Sequence, residues 1–151
     1  MGNTIYAATS DGLQKSNNQG DTWQNVFNLE KVCAISFKDA QNGVLTTGSN
    51  KVYLSNNGGT TWIYKSSIET GKYGNSISSI SYFTNNNIII ISNNGYPYEE
   101  YLYKSINNGD SWIKETIATG TGYPKLDRRG NVGLLIYSWS GLKYTVDGGI
   151  S

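Results

Sequence analysis

Histidine, cysteine, arginine and paired carboxylates carry most proton, nucleophile and metal chemistry, and this 151-residue sequence is short of them. It has no histidine, which removes Ser-His-Asp and Cys-His nucleophile systems and imidazole-based zinc sites. Its single cysteine, Cys33, allows no intrachain disulfide and no CxxC pair; it reads as a buried structural thiol and leaves the redox compartment open. Eleven acids remain. Asp11, Asp21, Asp110 and Asp147 sit beside glycines in turn-like stretches and read as turn formers. Glu99 and Glu100 are chain neighbours, so on a strand they point to opposite faces and cannot converge on one bond. Asp127 lies outside any obvious hairpin and is the one candidate general acid or base, with no visible partner. "GKY" at 71–73 and "TGTG" at 119–122 lack the strand–turn–helix setting of phosphate-binding loops and read as plain turns. No catalytic set, metal site or cofactor is expected.

Aromatics offer binding chemistry instead. The stretch "NNGYPYEEYLY", residues 93–103, places Tyr96, Tyr98 and Tyr101 around Pro97 in an expected loop. Phenols beside amides and carboxylates suit stacking on sugar rings or docking of a protein segment. Tyr123 and Trp139 are further candidates. The competing reading packs these rings between sheets.

What must position them is a repeat. "SNNQGDTW" at 16–23, "SNNGGTTW" at 55–62 and "SINNGDSW" at 105–112 share a phrase, and "TVDGGIS" at 145–151 begins a fourth. Its starts, at 16, 55, 105 and 145, are separated by 39, 50 and 40 residues. Three residues earlier stand Leu13, Val52, Leu102 and Leu142. The third place holds Asn18, Asn57, Asn107 or Asp147, whose side chain is expected to close an Asx turn on N–H groups two residues on. The fifth holds Gly20, Gly59, Gly109 or Gly149, supplying the positive φ of a tight reversal. Trp23, Trp62 and Trp112 then open a strand and fold back over the bend.

Around each phrase the chain is strand-like: "TIYAATS…GLQKS", "GVLTTGS…KVYLS", "NIIIIS…YLYKS" and "VGLLIYSWS…GLKYT". "VCAISF" at 32–37 and "SISSISYF" at 76–83 add a strand to the second and third units, and alternation in the former predicts burial on both faces. A helix over 24–38 is the competing reading, since Val26, Leu29 and Ile35 could share a face. A step of about 40 residues with roughly four short strands has the size of a propeller blade.

At these positions the pattern resembles the Asp-box, or bacterial neuraminidase, repeat, Ser-x-Asp-x-Gly-x-Thr-Trp. Three copies match at Ser16, Gly20 and Trp23, at Ser55, Gly59 and Trp62, and at Ser105, Gly109 and Trp112; the fourth matches at Asp147 and Gly149, with Thr145 for Ser. Asn18, Asn57 and Asn107 replace the consensus Asp, which keeps the turn and loses the charge. The resemblance implies an all-β fold of four-stranded antiparallel propeller blades, with the box a structural link between third and fourth strands. It is unspecific for activity, since the family includes sialidases, xyloglucanases, sortilin-like receptors and photosystem assembly factors. It implies three arginines for a sialidase site; this chain has only Arg128 and Arg129 and no Arg-Ile-Pro motif, so a complete site is excluded.

On this reading residues 4–28 form three strands of one blade, 30–68 and 74–118 two full blades, and 123–151 three strands of another. Such an incomplete ring predicts a segment of a longer reading frame, with self-association as the alternative source of the remaining blades. Net charge is +1 and pI about 7.7, with no basic run beyond Arg128-Arg129, which argues against nucleic acid. The longest apolar run, Ile88–Ile91, is too short to span a bilayer. No signal peptide is visible at "MGNTIYAATSDG"; the family alone leans toward an extracellular or surface setting. The expected function is a non-catalytic module binding protein or carbohydrate, or else a slice of a larger secreted glycoside hydrolase.

Overall fold

The computed structural model describes residues 4–69, 75–94, 99–119, 126–128, 134–138 and 141–145, and every element among them is a strand. β1 (Ile5–Thr9), β2 (Gly12–Ser16) and β3 (Gln24–Phe27) form the first sheet. β4 (Val32–Phe37), β5 (Gly43–Thr47), β6 (Lys51–Ser55) and β7 (Ile63–Ser67) form the second. β8 (Asn75–Tyr82), β9 (Ile88–Asn94), β10 (Glu99–Ser105) and β11 (Ile113–Thr119) form the third. β12 (Leu126–Arg128), β13 (Leu134–Ser138) and β14 (Gly141–Thr145) form the fourth. In each, strands follow one another in chain order and every neighbouring pair is antiparallel.

The helix over 24–38 does not form. Val26 belongs to β3 and Ile35 to β4, while Leu29, between them, is 71% exposed. β-Branched and aromatic side chains gain more from two sheet faces than from one helical stripe. Tight hairpins join the strands. At the first, Gly12 sits at φ +135°, and a Cβ there would lie 1.8 Å from the Phe27 carbonyl oxygen. Only glycine lets β2 pass that close to β3.

The sheets stack face to face, and three apolar cores fill the spaces between them. Leu13 and Phe27 of the first sheet meet Val32, Leu45 and Tyr53 of the second. On its other face the second sheet presents Val44 and Val52 to Ile77, Ile80, Tyr82, Ile88, Ile90 and Tyr103 of the third. Ile89, Ile91 and Phe83 then face Leu126 of the fourth. The four isoleucines of β9 therefore divide by parity, Ile88 and Ile90 to one side and Ile89 and Ile91 to the other, each 2% exposed or less. β4 also touches both neighbours, but past Val32 it is only half-buried. Cys33 is likewise half-buried rather than enclosed, because a bulge between Val32 and Ala34 takes it out of register.

Candidate functional site

Each recurring phrase folds into one hydrogen-bonded unit. Ser16, Ser55 and Ser105 end β2, β6 and β10, and all three are buried. Each serine Oγ accepts from the fifth-place glycine: Gly20 N–H at 2.8 Å, Gly59 at 2.9 Å and Gly109 at 2.8 Å. The same hydroxyl donates to Oδ1 of Asn18, Asn57 or Asn107 at 2.9, 3.0 and 2.9 Å. That Oδ1 also accepts the backbone N–H of Thr22, Thr61 or Ser111, at 3.0 Å in every copy. The asparagine thus closes the bend four residues on, not two; it is the serine Oγ that receives the N–H two residues on, from the asparagine itself.

Asparagine brings one thing that an aspartate at this place would lack. Its Nδ2 donates to the hydroxyl of Thr22 at 3.0 Å and of Thr61 and Ser111 at 2.8 Å. Carboxylate there would have to accept that hydroxyl proton instead. The reversal itself needs two left-handed residues in succession: Gln19 and Gly20, Gly58 and Gly59, Asn108 and Gly109 all have positive φ. Glycine at the fifth place signals this; Gln19 at the fourth gives no warning.

Among the described residues, the second and third bends rest on the preceding sheet. The Gly58 carbonyl accepts from Tyr6 Oη and Lys15 Nζ, both at 2.6 Å. The Gly109 carbonyl accepts from Ser66 Oγ at 2.7 Å, and Ser66 accepts the indole N–H of Trp112 at 3.0 Å. Lys65 pairs with Asp110, and Tyr82 donates to Asn108. Trp62 packs edge-on to Phe37 at 5.9 Å, beside the stacked Tyr6–Phe37 pair at 4.6 Å. Trp62 and Trp112 are half-buried against these cores, whereas Trp23 stands 42% exposed.

The candidate binding residues are scattered. Tyr96, Tyr98, Tyr123, Trp139, Asp147 and Gly149 lie outside the described residues, and of Thr145 only its place at the end of β14 is described. Tyr101 belongs to β10 rather than to a loop, and is 7% exposed. It stands edge-on to Tyr103 at 6.3 Å, donates to Glu99 and has Lys114 Nζ 3.9 Å from its ring centroid. Set between Ser92 of β9 and Thr116 of β11, it is a core side chain. A crevice of about 320 Å³ beside it is lined by Tyr103, Trp112, Lys114 and Glu69.

Among the acids, Asp127 is exposed on β12 opposite Leu135. Glu100 is 1% exposed with both carboxylate oxygens unpartnered, and burial pushes its carboxyl above the ordinary value. Among the described residues no cluster of His, Cys, Asp and Glu is suited to a metal ion.

No protein-family model matches the chain, and no curated protein does. Solved structures do. YCF48 bound to D1 peptide matches 80% of this chain and 38% of its own, at 20% identity and TM-score 0.59. YCF48 from Cyanidioschyzon merolae matches 97% and 49%, at 16% identity and TM-score 0.63. The GH74 xyloglucanase from Xanthomonas campestris matches 98% and 27%, at 16% identity and TM-score 0.62. The fold is that of a β-propeller with an incomplete ring. The sheets are its blades, and this chain spans less than half the length of each of these structures.

Proposed function

We propose that the chain is a non-catalytic segment of an Asp-box β-propeller, serving as a binding or scaffolding module for protein or carbohydrate. The observation that carries this is the bend itself: in all three described copies the serine hydroxyl bonds both the asparagine and the glycine, and the asparagine bonds the backbone four residues on, so the set shapes the turn. They, with Thr145, Asp147 and Gly149 in the fourth copy, take structural roles. Among the described residues, Glu99 is bound by Tyr101 and Glu100 is buried alone, so these two do not converge on one bond. The fold also occurs with a bound peptide in YCF48, which supports a protein partner. Further blades, following the division 4–28, 30–68, 74–118 and 123–151, come from a longer chain or from self-association.

The test is capture on peptide and glycan arrays by the wild-type chain and by Tyr96→Ala/Tyr98→Ala. Loss of the captured ligands with an unchanged urea midpoint supports the aromatic stretch as the binding element, and retention removes it. A second reading, a segment of a larger glycoside hydrolase, draws on the xyloglucanase likeness, which spans nearly all of this chain but 27% of that one. Release of sugar from xyloglucan by this chain alone would overturn the non-catalytic reading.

A further inference from the structure

The same junction between blades occurs twice and is filled in one of the two places. Phe27 and Ser66 are equivalent by register, since they pair with Leu13 and Val52, each three residues before its box serine. Between the first and second blades, the Phe27 ring stands edge-on to Tyr53 at 4.9 Å, in the core that Trp62 packs against. Between the second and third, the counterparts of Tyr53 and Trp62 are Tyr103 and Trp112. Ser66 faces them and accepts the Trp112 indole N–H, so a hydroxymethyl group stands where the other junction holds a phenyl ring. Ile68 makes up part of the difference. It is 3% exposed in that core, whereas Leu29, two residues after Phe27 as Ile68 is after Ser66, is 71% exposed. What is left open is the crevice of about 320 Å³, lined by Ile68, Tyr103 and Trp112.

A charge stands beside it. Tyr64 and Lys114 are equivalent by register, opposite Tyr53 and Tyr103. Tyr64 packs edge-on to Tyr53 at 5.7 Å and covers that ring with another ring. Lys114 instead lies over phenols, its Nζ 3.9 Å from the Tyr101 centroid and 5.9 Å from that of Tyr103. The side chain is exposed, and among the described residues its ammonium meets these rings and no carboxylate. In water an ammonium gains little from an exposed ring, and a carboxylate is its stronger partner. Glu69 also lines the crevice, which disfavours a second negative charge on anything bound there.

We propose that this crevice binds a small aromatic acid: one flat ring carrying one carboxylate on a short stem. The ring takes the place that Phe27 fills in the preceding junction, against Tyr103, Ile68 and Trp112. Tyr103 is 1% exposed beneath Lys114, so movement of that flexible side chain opens the seat. The carboxylate draws the ammonium off the phenols into an ion pair at the mouth. The volume lies at the lower end for ligand sites, enough for one ring and a short stem but not for a peptide segment with its backbone. An amine of the same shape would meet the Lys114 charge, and a sugar ring would press hydroxyls against Ile68. Ring seat and charge come from residues other than Tyr96 and Tyr98, so failure of the aromatic stretch on the arrays and failure here are separate results.

The test is titration of the isotope-labelled full chain with phenylpropionate, read by NMR at the indole N–H signals. The Trp112 signal is expected to shift saturably while that of Trp23 stays in place. Phenylpropanol, which lacks the charge, is expected to bind about tenfold more weakly. Lys114→Gln, at an exposed side chain, should lower the affinity for phenylpropionate by about the same factor and leave that for phenylpropanol unchanged. Ser66→Phe supplies the chain's own ring and should remove the shift. Four results overturn the proposal: no saturable shift at Trp112, equal binding of phenylpropylamine, unchanged affinity of Lys114→Gln for phenylpropionate, or a stronger response to glucose, which would make the crevice a sugar site.

Discussion

Indole N–H groups show how far one residue decides the order of a bend. Trp112 donates to Ser66, which in turn bonds the Gly109 carbonyl. Trp62 sits at the same place in its own box, yet its N–H is buried without a partner. By register the counterpart of Ser66, opposite Val52, is Phe27, opposite Leu13, and a phenyl ring accepts no conventional hydrogen bond. Ser66→Ala should therefore leave two polar groups unpaired and cost about 1–3 kcal/mol in urea unfolding. Gly59→Ala should cost more, by steric strain. Its φ is +67°, and an added Cβ would lie 2.9 Å from the Tyr6 ring and 3.0 Å from Phe37. Glu100 offers a test by pH. Burial raises its carboxyl, so the fold is favoured below the ordinary carboxylate range and loses that stability as pH rises through the raised value. Glu100→Gln should flatten the fall in the urea midpoint between mildly acidic and neutral pH, while leaving the acid-side value nearly unchanged.

At the scale of the element, the doubly buried strand is the unit that makes a stack of blades cohere. Ile90 and Ile91 are adjacent and both 0% exposed, but they enter different cores. Truncating either to Ala should cost about 2–5 kcal/mol, whereas a strand with one wet face would show a large loss at every second position only. Equilibrium unfolding of the two single variants decides between these patterns. The sequence foretold much at this level, since a run of isoleucines bounded by turn residues has few other uses in a chain of short strands. The bend was also legible, because serine, asparagine and glycine keep their spacing. The left-handed fourth place was not, as Gln19 and Asn108 carry no glycine signal. Nor were the partners of each bend. Tyr6 and Lys15 serve one box and Ser66 another, 43 to 52 residues away and of unlike chemistry, so no local pattern announces them. Tyr101 was misread for a related reason: the long insertion before it suggested a loop, whereas pairing on both sides draws it into the sheet.

At the scale of the whole molecule, tryptophan exposure is a property of the neighbouring blade rather than of the box. The three boxes share their internal bonds to within 0.1 Å at the serine–glycine contact, yet of their tryptophans Trp23 alone is exposed, at 42%. Trp62 has Phe37 of its own blade and the Tyr6 ring of the preceding one around it, and Trp112 has Ser66. The described residues place no sheet on the corresponding side of Trp23. If blade contact sets the environment, acrylamide should quench a variant retaining only Trp23 more strongly than variants retaining only Trp62 or only Trp112. Truncation should follow the same order: Trp62→Ala is expected to cost about 3 kcal/mol, the lower end for a large aromatic, and Trp23→Ala distinctly less. Equal quenching of all three would mean that the box alone positions its indole, and the stack of blades would then contribute little to holding the bends in place.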